Sequence, residues 1–229
     1  MRAVLFDLDG TLVDSEMHTD AAISAVTEQY GIAGFVLPHT ETRGRTWAFI
    51  AETIRARTKI DVAAEVIAAD LLAHWNDAAI DVKPIPGAPQ AVRAAAARKL
   101  KLGVVSSSPR TVIDSFLDKL GVGDLIDRRA RIGADEVHTT KPDPEGFLLA
   151  ARALEVDPVD TLVFEDSRAG LLAAQAAGMR SMFVTCCAAD VAGSTALATA
   201  SCIHYEVLPP HFWDELASGT ADLADRSFT

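Results

Sequence analysis

The chain has 229 residues, 49% of them hydrophobic and 23% charged, enough for an ordinary soluble globular protein with one sizeable core, or one core and a smaller lobe. A formal net charge of −11 argues against nucleic acid and against an anionic membrane surface as partners. Any phosphate it binds must be held locally, by backbone N–H groups, a lysine or a metal ion.

Ala3-Val4-Leu5-Phe6 is a short apolar run that stops on Asp7 and Asp9, with Gly10 to turn the chain. It reads as a buried strand. Two carboxylates crowded at one strand exit repel each other, and a cation or a shared proton has to relieve them. Asp-x-Asp-Gly is also ordinary turn chemistry, so the pair takes its meaning from the segments that follow.

From about Asp14 to Val82 the pattern is helical and strand-poor. Ala22, Ile23, Val26 and Tyr30 share one helix face, and Gly31 can end that helix. Trp47, Ile50 and Ile54 form a second stripe, and Val66, Leu71 and Trp75 a third. Pro84-Ile85-Pro86-Gly87 then breaks the chain, and strands and helices alternate after it. A helix over about 88–99 precedes a strand at 102–105 that ends in Ser106-Ser107-Ser108-Pro109. A helix at 111–120 is stopped by Gly121, a short strand follows near 130–132, and a loop carrying Lys141-Pro142 leads into a helix to about 154. The apolar run 161–164 ends in Glu165-Asp166-Ser167, an Ala-rich helix closes at Gly178, and 181–184 is the last clear strand. Residues 188–229 allow a short helix near 211–216 and otherwise a loose tail. Cys186, Cys187 and Cys202 are odd in number and two are adjacent, which fits buried or half-buried thiols in a reducing compartment. With no signal-like or membrane-length apolar run, the chain is expected to be cytoplasmic.

Alternating strands and helices mean a parallel sheet covered on both faces, with 15–83 inserted like a lid. In such sheets ligands bind at the carboxyl ends of the strands. Delivered there are Asp7 and Asp9, then Ser106, then Glu165 and Asp166, with Lys141 leading into a helix. Hard oxygen ligands of this kind suit Mg²⁺ rather than zinc or copper. A serine hydroxyl, adjacent N–H groups and an ammonium suit a phosphate, and a carboxylate nucleophile beside both implies an aspartyl-phosphate intermediate.

Asp7-Leu8-Asp9-Gly10-Thr11, the strand into Ser106, Lys141-Pro142 and Glu165-Asp166-Ser167 resemble, in order, the four motifs of the haloacid dehalogenase superfamily. The helical insert resembles the cap of its β-phosphoglucomutase/phosphoglycolate phosphatase branch. The resemblance implies an α/β fold: a Rossmann-like parallel-sheet core from 1–14 and 84–229, with an α-helical cap at 15–83. It implies Asp7 as nucleophile and Asp9 as the acid that protonates the leaving alcohol and the base that then activates water. Dehalogenases of the superfamily lack the second aspartate, so Asp9 favours phosphoryl transfer. Mg²⁺ is expected at the Asp7 side chain, the Asp9 backbone carbonyl and Asp166, with Glu165 direct or through water. Ser106 and the Ser107 N–H are expected to bind phosphoryl oxygens, and Lys141 to neutralise charge shared with the nucleophile. Thr11 is expected to pack or hydrogen-bond in the turn after the nucleophile.

The substrate class is harder to read. Arg45 or Arg43, in Arg43-Gly44-Arg45-Thr46-Trp47, either meets a substrate carboxylate or second phosphate or is simply solvated. Arg110 is a further candidate to face the leaving group. Mutase-like relatives carry an arginine where Trp47 stands here, and a histidine one residue after the place of His18. The first expectation is therefore a Mg²⁺-dependent phosphatase of a small phosphorylated metabolite, a sugar phosphate or phosphoglycolate, working as monomer or homodimer. A sugar phosphomutase is the alternative. A phospho-accepting receiver is remote: it is near half this length, lacks a helical insert and brings its lysine last, whereas Lys141 precedes Glu165-Asp166.

Overall fold

The computed structural model describes residues 1–78, 81–224 and 226–229, the side chains of residues 16 and 78 excepted. Its main sheet has seven parallel strands: β1 (Ala3–Phe6), β4 (Lys101–Val105), β5 (Arg131–Ile132), β6 (Thr161–Glu165), β7 (Arg180–Val184), β8 (Ala200–Cys202) and β9 (Arg226–Phe228). Their order is β5-β4-β1-β6-β7-β8-β9. A short ribbon, β2 (Val13–Asp14) antiparallel to β3 (Lys83–Pro84), lies apart from it.

β1 is the hub. Its four residues are wholly buried because helices cover both faces of the sheet, which is why the run is continuously apolar rather than alternating. Val4 and Phe6 point to one face, packed with α5 (Ala88–Ala97), α6 (Arg110–Lys119) and α10 (Phe212–Ser218). Ala3 and Leu5 point to the other, packed with α7 (Glu145–Ala153) and α8 (Arg168–Ala176). From β1 the chain builds outward to β4 and β5, then returns to the other side of β1 with β6. That reversal opens a crevice at the carboxyl ends of β1, β4 and β6, the position where open α/β sheets bind ligands.

Between β2 and β3 run α1 (Glu16–Gln29), α2 (His39–Thr42), α3 (Trp47–Thr58) and α4 (Ala64–Ala78), with α4 packed on both α1 and α3. Thr46 starts α3 by accepting the Phe49 N–H on its side-chain oxygen at 3.2 Å. Of the expected stripes of α1 and α3, Ala22, Ile23, Val26, Ile50 and Ile54 are buried, while Tyr30 and Trp47 at their ends are half-buried. On α4 the stripe is Ile67-Leu71-Trp75, each four residues from the next, while Val66 is 49% exposed. Val66 sits five residues before Leu71 and so turns about a third of the way around the helix. Trp75 joins insert to core, edge-on to Trp47 at 5.9 Å and to Phe116 of α6 at 5.6 Å. Residues 79–80, at the end of the expected helical stretch, lie outside the described residues.

The tail departs from expectation. Beyond β7 the sheet gains β8 and β9, and the last helix, α10, docks through Phe212, Trp213 and Leu216. β8 is Ala-Ser-Cys and β9 an exposed Arg-Ser-Phe edge, so neither carries the β-branched pattern that marks a strand. α9 (Val191–Ser194) lies between β7 and β8. All three thiols are free: Cys202 is buried, Cys187 half-buried and Cys186, against expectation, exposed. Among the described residues no helix is long and apolar enough to cross a membrane.

Candidate active site

Asp7 follows β1 directly, and its N–H donates to the Phe164 carbonyl at 2.9 Å, extending the β1–β6 ladder by one residue. Its Oδ1 lies 2.5 Å from Lys141 Nζ, and the same ammonium lies 2.6 Å from Glu165 Oε1. All three side chains are buried. Glu165 ends β6, and its other oxygen accepts the Ser167 N–H at 2.6 Å. Asp166 Oδ1 accepts the Thr11 hydroxyl at 3.2 Å, so Thr11 does hydrogen-bond next to the nucleophile. Gly10 has φ +78°, and a Cβ there would stand 2.2 Å from Asp166 Oδ2, so the turn closes on that carboxylate only with glycine.

Electrostatics follow from this crowding. Burial, with help from Glu165 and Asp9, pushes the Asp7 carboxyl well above the usual carboxylate range although Lys141 pulls the other way. Burial works against the Lys141 charge, but Asp7 and Glu165 outweigh it and hold the ammonium protonated beyond the usual lysine range. Asp7 and Glu165 share the Lys141 ammonium, Asp166 lies in reach of both and Asp9 acts on Asp7, a surplus of negative charge that a divalent cation would balance. Carboxylate oxygens of Asp7, Glu165 and Asp166 all lie within 4.8 Å of one another. An all-oxygen donor set at that spacing fits a hard cation such as Mg²⁺.

Asp9 is held separately. Ser15 donates to its Oδ1 at 2.7 Å, and Ser108 and Ser106 donate to its Oδ2 at 2.8 and 3.2 Å. Ser106 Oγ also accepts the Ser108 N–H at 2.9 Å, which folds the loop after β4 around the aspartate. Ser107 turns outward: its hydroxyl donates to the Gly44 carbonyl of the insert at 2.9 Å. Gly44 has φ +68°, and a Cβ on it would meet Ser167 Oγ at 2.4 Å. The insert thus rests on two strand-tip loops through its backbone.

Under this contact is a cleft of about 40 Å³, walled on the core side by Asp7, Asp9, Ser107 and Ser108. Arg43, Arg45, Trp47 and Trp75 close it from the insert. The structure therefore brings Asp7, Asp9, Ser106, Ser107, Lys141, Glu165 and Asp166 to one sheet edge and sets Arg45 opposite. Arg110 is elsewhere, bound to the Arg131 and Arg128 carbonyls at 2.6 and 2.7 Å and to Asp114. Its side chain leaves the start of α6 toward the β5 flank, so it secures the fold. Ser15, Ser108 and Gly44 were not foreseen. Ser108 lay in view, since the residue two beyond a strand-tip serine folds back readily; Ser15 and Gly44 act through contacts no local pattern reveals.

Residues 4–184 match the family model of haloacid dehalogenase-like hydrolases. A validoxylamine A 7'-phosphate phosphatase of Streptomyces hygroscopicus subsp. limoneus is 34% identical over 187 residues, 78% of this chain and 83% of that protein. A phosphorylated carbohydrates phosphatase of Thermotoga maritima is 30% identical over 193 residues, covering 80% and 84%. In fold the chain is similar to a β-phosphoglucomutase of Clostridium difficile, with a TM-score of 0.81 at 21% identity over 96% of this chain and 98% of that one. On the strength of the family match and these relatives, the chain belongs to the haloacid dehalogenase-like hydrolases.

Proposed function

We propose that the protein is a Mg²⁺-dependent phosphatase of a small phosphorylated metabolite of the sugar phosphate or phosphoglycolate type. The observation that carries this is the buried contact of Asp7 with Lys141 and Glu165, with Asp166 in reach and Asp9 alongside. Two relatives named as phosphatases, one of validoxylamine A 7'-phosphate and one of phosphorylated carbohydrates, support the substrate class. In this reading 1–14 and 84–229 are the catalytic core and 15–83 the cap.

An Asp7 carboxylate oxygen attacks phosphorus, the ester P–O bond breaks, and Asp9 gives its proton to the departing alcohol oxygen. Asp9 then takes a proton from water, whose oxygen attacks the same phosphorus. The bond to Asp7 breaks, releasing inorganic phosphate and the free carboxylate. Lys141 keeps the Asp7 oxygen aimed and offsets the negative charge gathered as it attacks. Ser106 Oγ and the Ser107 N–H hold the phosphoryl oxygens. Asp7, Asp166, Glu165 and the Asp9 carbonyl would hold Mg²⁺, which when bound polarises and neutralises the phosphoryl group. The closed cleft is too small for a sugar phosphate, so substrate enters when the cap lifts from Ser107 and Ser167 and is sealed from bulk water when it returns. The free thiols support a reducing, cytoplasmic setting.

The test is phosphate release from a panel of phosphorylated metabolites by purified protein with Mg²⁺, with Asp7→Asn as control. Silence across the panel overturns the reading. Conversion of a hexose 1-phosphate to the 6-phosphate, primed by a bisphosphate and without phosphate release, turns it into a phosphomutase.

A further inference from the structure

A second, larger cavity of about 160 Å³ opens beside the cleft, between the insert loop and the start of α8. It shares Arg43 and Arg45 with the cleft and touches Asp166, so it adjoins the reacting centre. Ala169 and Leu172 give it an apolar floor, and Arg168 adds a third guanidinium to its rim. Among the described residues no carboxylate lies within ion-pair distance of Arg45 or Arg168. Arg45 instead lies over the Phe49 ring at 4.7 Å, and Arg168 spends one N–H on the Gly193 carbonyl at 3.2 Å. Arg45 is half-buried and Arg168 exposed, both on the cavity lining, and a guanidinium carries five donors, more than these contacts use. Two acids also line the cavity: Asp166, on the metal side, and Asp190, which accepts the Gly193 N–H at 2.8 Å as the cap of a helix start.

We infer that this cavity receives the alcohol part of the substrate, and that Arg168, with Arg45, selects esters bearing a second anionic group on a short carbon skeleton. The inference rests on the phosphatase reading and names its substrate class. Size sets the skeleton: the cavity is below the ~300–1,000 Å³ of sites for drug-sized ligands. Planar, fixed guanidinium forks suit a carboxylate or a second phosphate alike. Arg168 directly follows Asp166-Ser167, so its distance from the phosphoryl site is set by the same strand tip that supplies the metal-side carboxylate.

Two pairs of esters test it, each differing by one anionic group: 3-phosphoglycerate against glycerol 3-phosphate, and fructose 1,6-bisphosphate against fructose 1-phosphate. The first pair reads a carboxylate and the second a phosphate. The wild-type protein is expected to favour the doubly anionic member of at least one pair by about tenfold or more in kcat/KM, chiefly through KM. Arg168→Ala collapses that ratio, Arg168→Glu inverts it, and Arg168→Lys keeps part of it. Equal turnover of both members of both pairs, or a preference that survives Arg168→Ala, overturns the inference while leaving the phosphatase reading intact. Release of phosphate from none of the four esters, nor from a wider panel, counts against the phosphatase reading itself.

Discussion

The strand-tip side of the cleft and the insert side that faces it are built on opposite principles. On the core side the groups are buried, charged and locked at 2.5–2.6 Å between Asp7, Lys141 and Glu165. On the insert side Arg43, Arg45 and Trp47 are half-buried, and the Gly44 carbonyl between them accepts the Ser107 hydroxyl. A rigid, pre-paid arrangement of charge suits chemistry, where misplacement is costly. A face held to that edge through a backbone carbonyl leaves its side chains able to vary without disturbing the charged cluster beneath. The comparison teaches that the buried charged cluster and the face opposite it are separable in this molecule.

The largest effect that would sharpen this contrast is on the core side. Asp7→Asn is expected to lower phosphate release by at least about 10³-fold while the protein still folds, because the nucleophile is lost and its shape kept; circular dichroism and a phosphate assay check both halves. Lys141→Ala removes the cation held between Asp7 and Glu165. It is expected to cost roughly 10²–10³ in kcat and about 3–5 kcal/mol of stability, read from steady-state rates and urea unfolding. A melting curve unchanged by that substitution would break the picture of a locked core.

Metal binding should respond to pH in a defined sense. The Asp7 carboxyl is raised in the folded protein, so it holds a proton over a range where an ordinary aspartate is ionised, and a cation must displace that proton. Mg²⁺ affinity is therefore expected to rise with pH through the raised Asp7 range, with proton release seen by calorimetry in buffers of different ionisation enthalpy; pH-independent binding would contradict it. Removal of Mg²⁺ with a chelator should abolish turnover, and re-addition restore it.

The smallest effect belongs to the insert. Gly44→Ala places a methyl against Ser167 Oγ at a positive φ. It is expected to raise KM several-fold with little change in melting temperature, since it disturbs how the insert seats rather than the sheet. A loss as deep as that of Asp7→Asn would erase the division between the two sides.

The candidate site was legible because its residues occupy short contiguous runs at strand ends: Asp7-Leu8-Asp9, Ser106, Lys141 and Glu165-Asp166 each follow an apolar stretch or a turn signal. Parallel strands with helical crossovers then bring those ends together, which is a property of the topology rather than of any one segment. What escaped depends on distant partners. Ser15 is just a residue before a helix until the loop after β4 brings Ser106 and Ser108 to the same aspartate. In the α4 stripe Leu71 and Trp75 stand as expected and only the first member differs, Ile67 in place of Val66, because the two are equally apolar and only packing separates them. β8 and β9 were invisible because short edge strands of small and polar residues carry almost no local signal.

The β2–β3 ribbon has a consequence for how such a molecule diversifies. Val13 pairs with Pro84 and Asp14 with Lys83, so the chain departs from the sheet and comes back to it at adjoining points. A segment grafted at that doorway needs only to begin and finish side by side. The helices of another hydrolase could be exchanged there, longer or shorter, without re-registering one strand of the platform below.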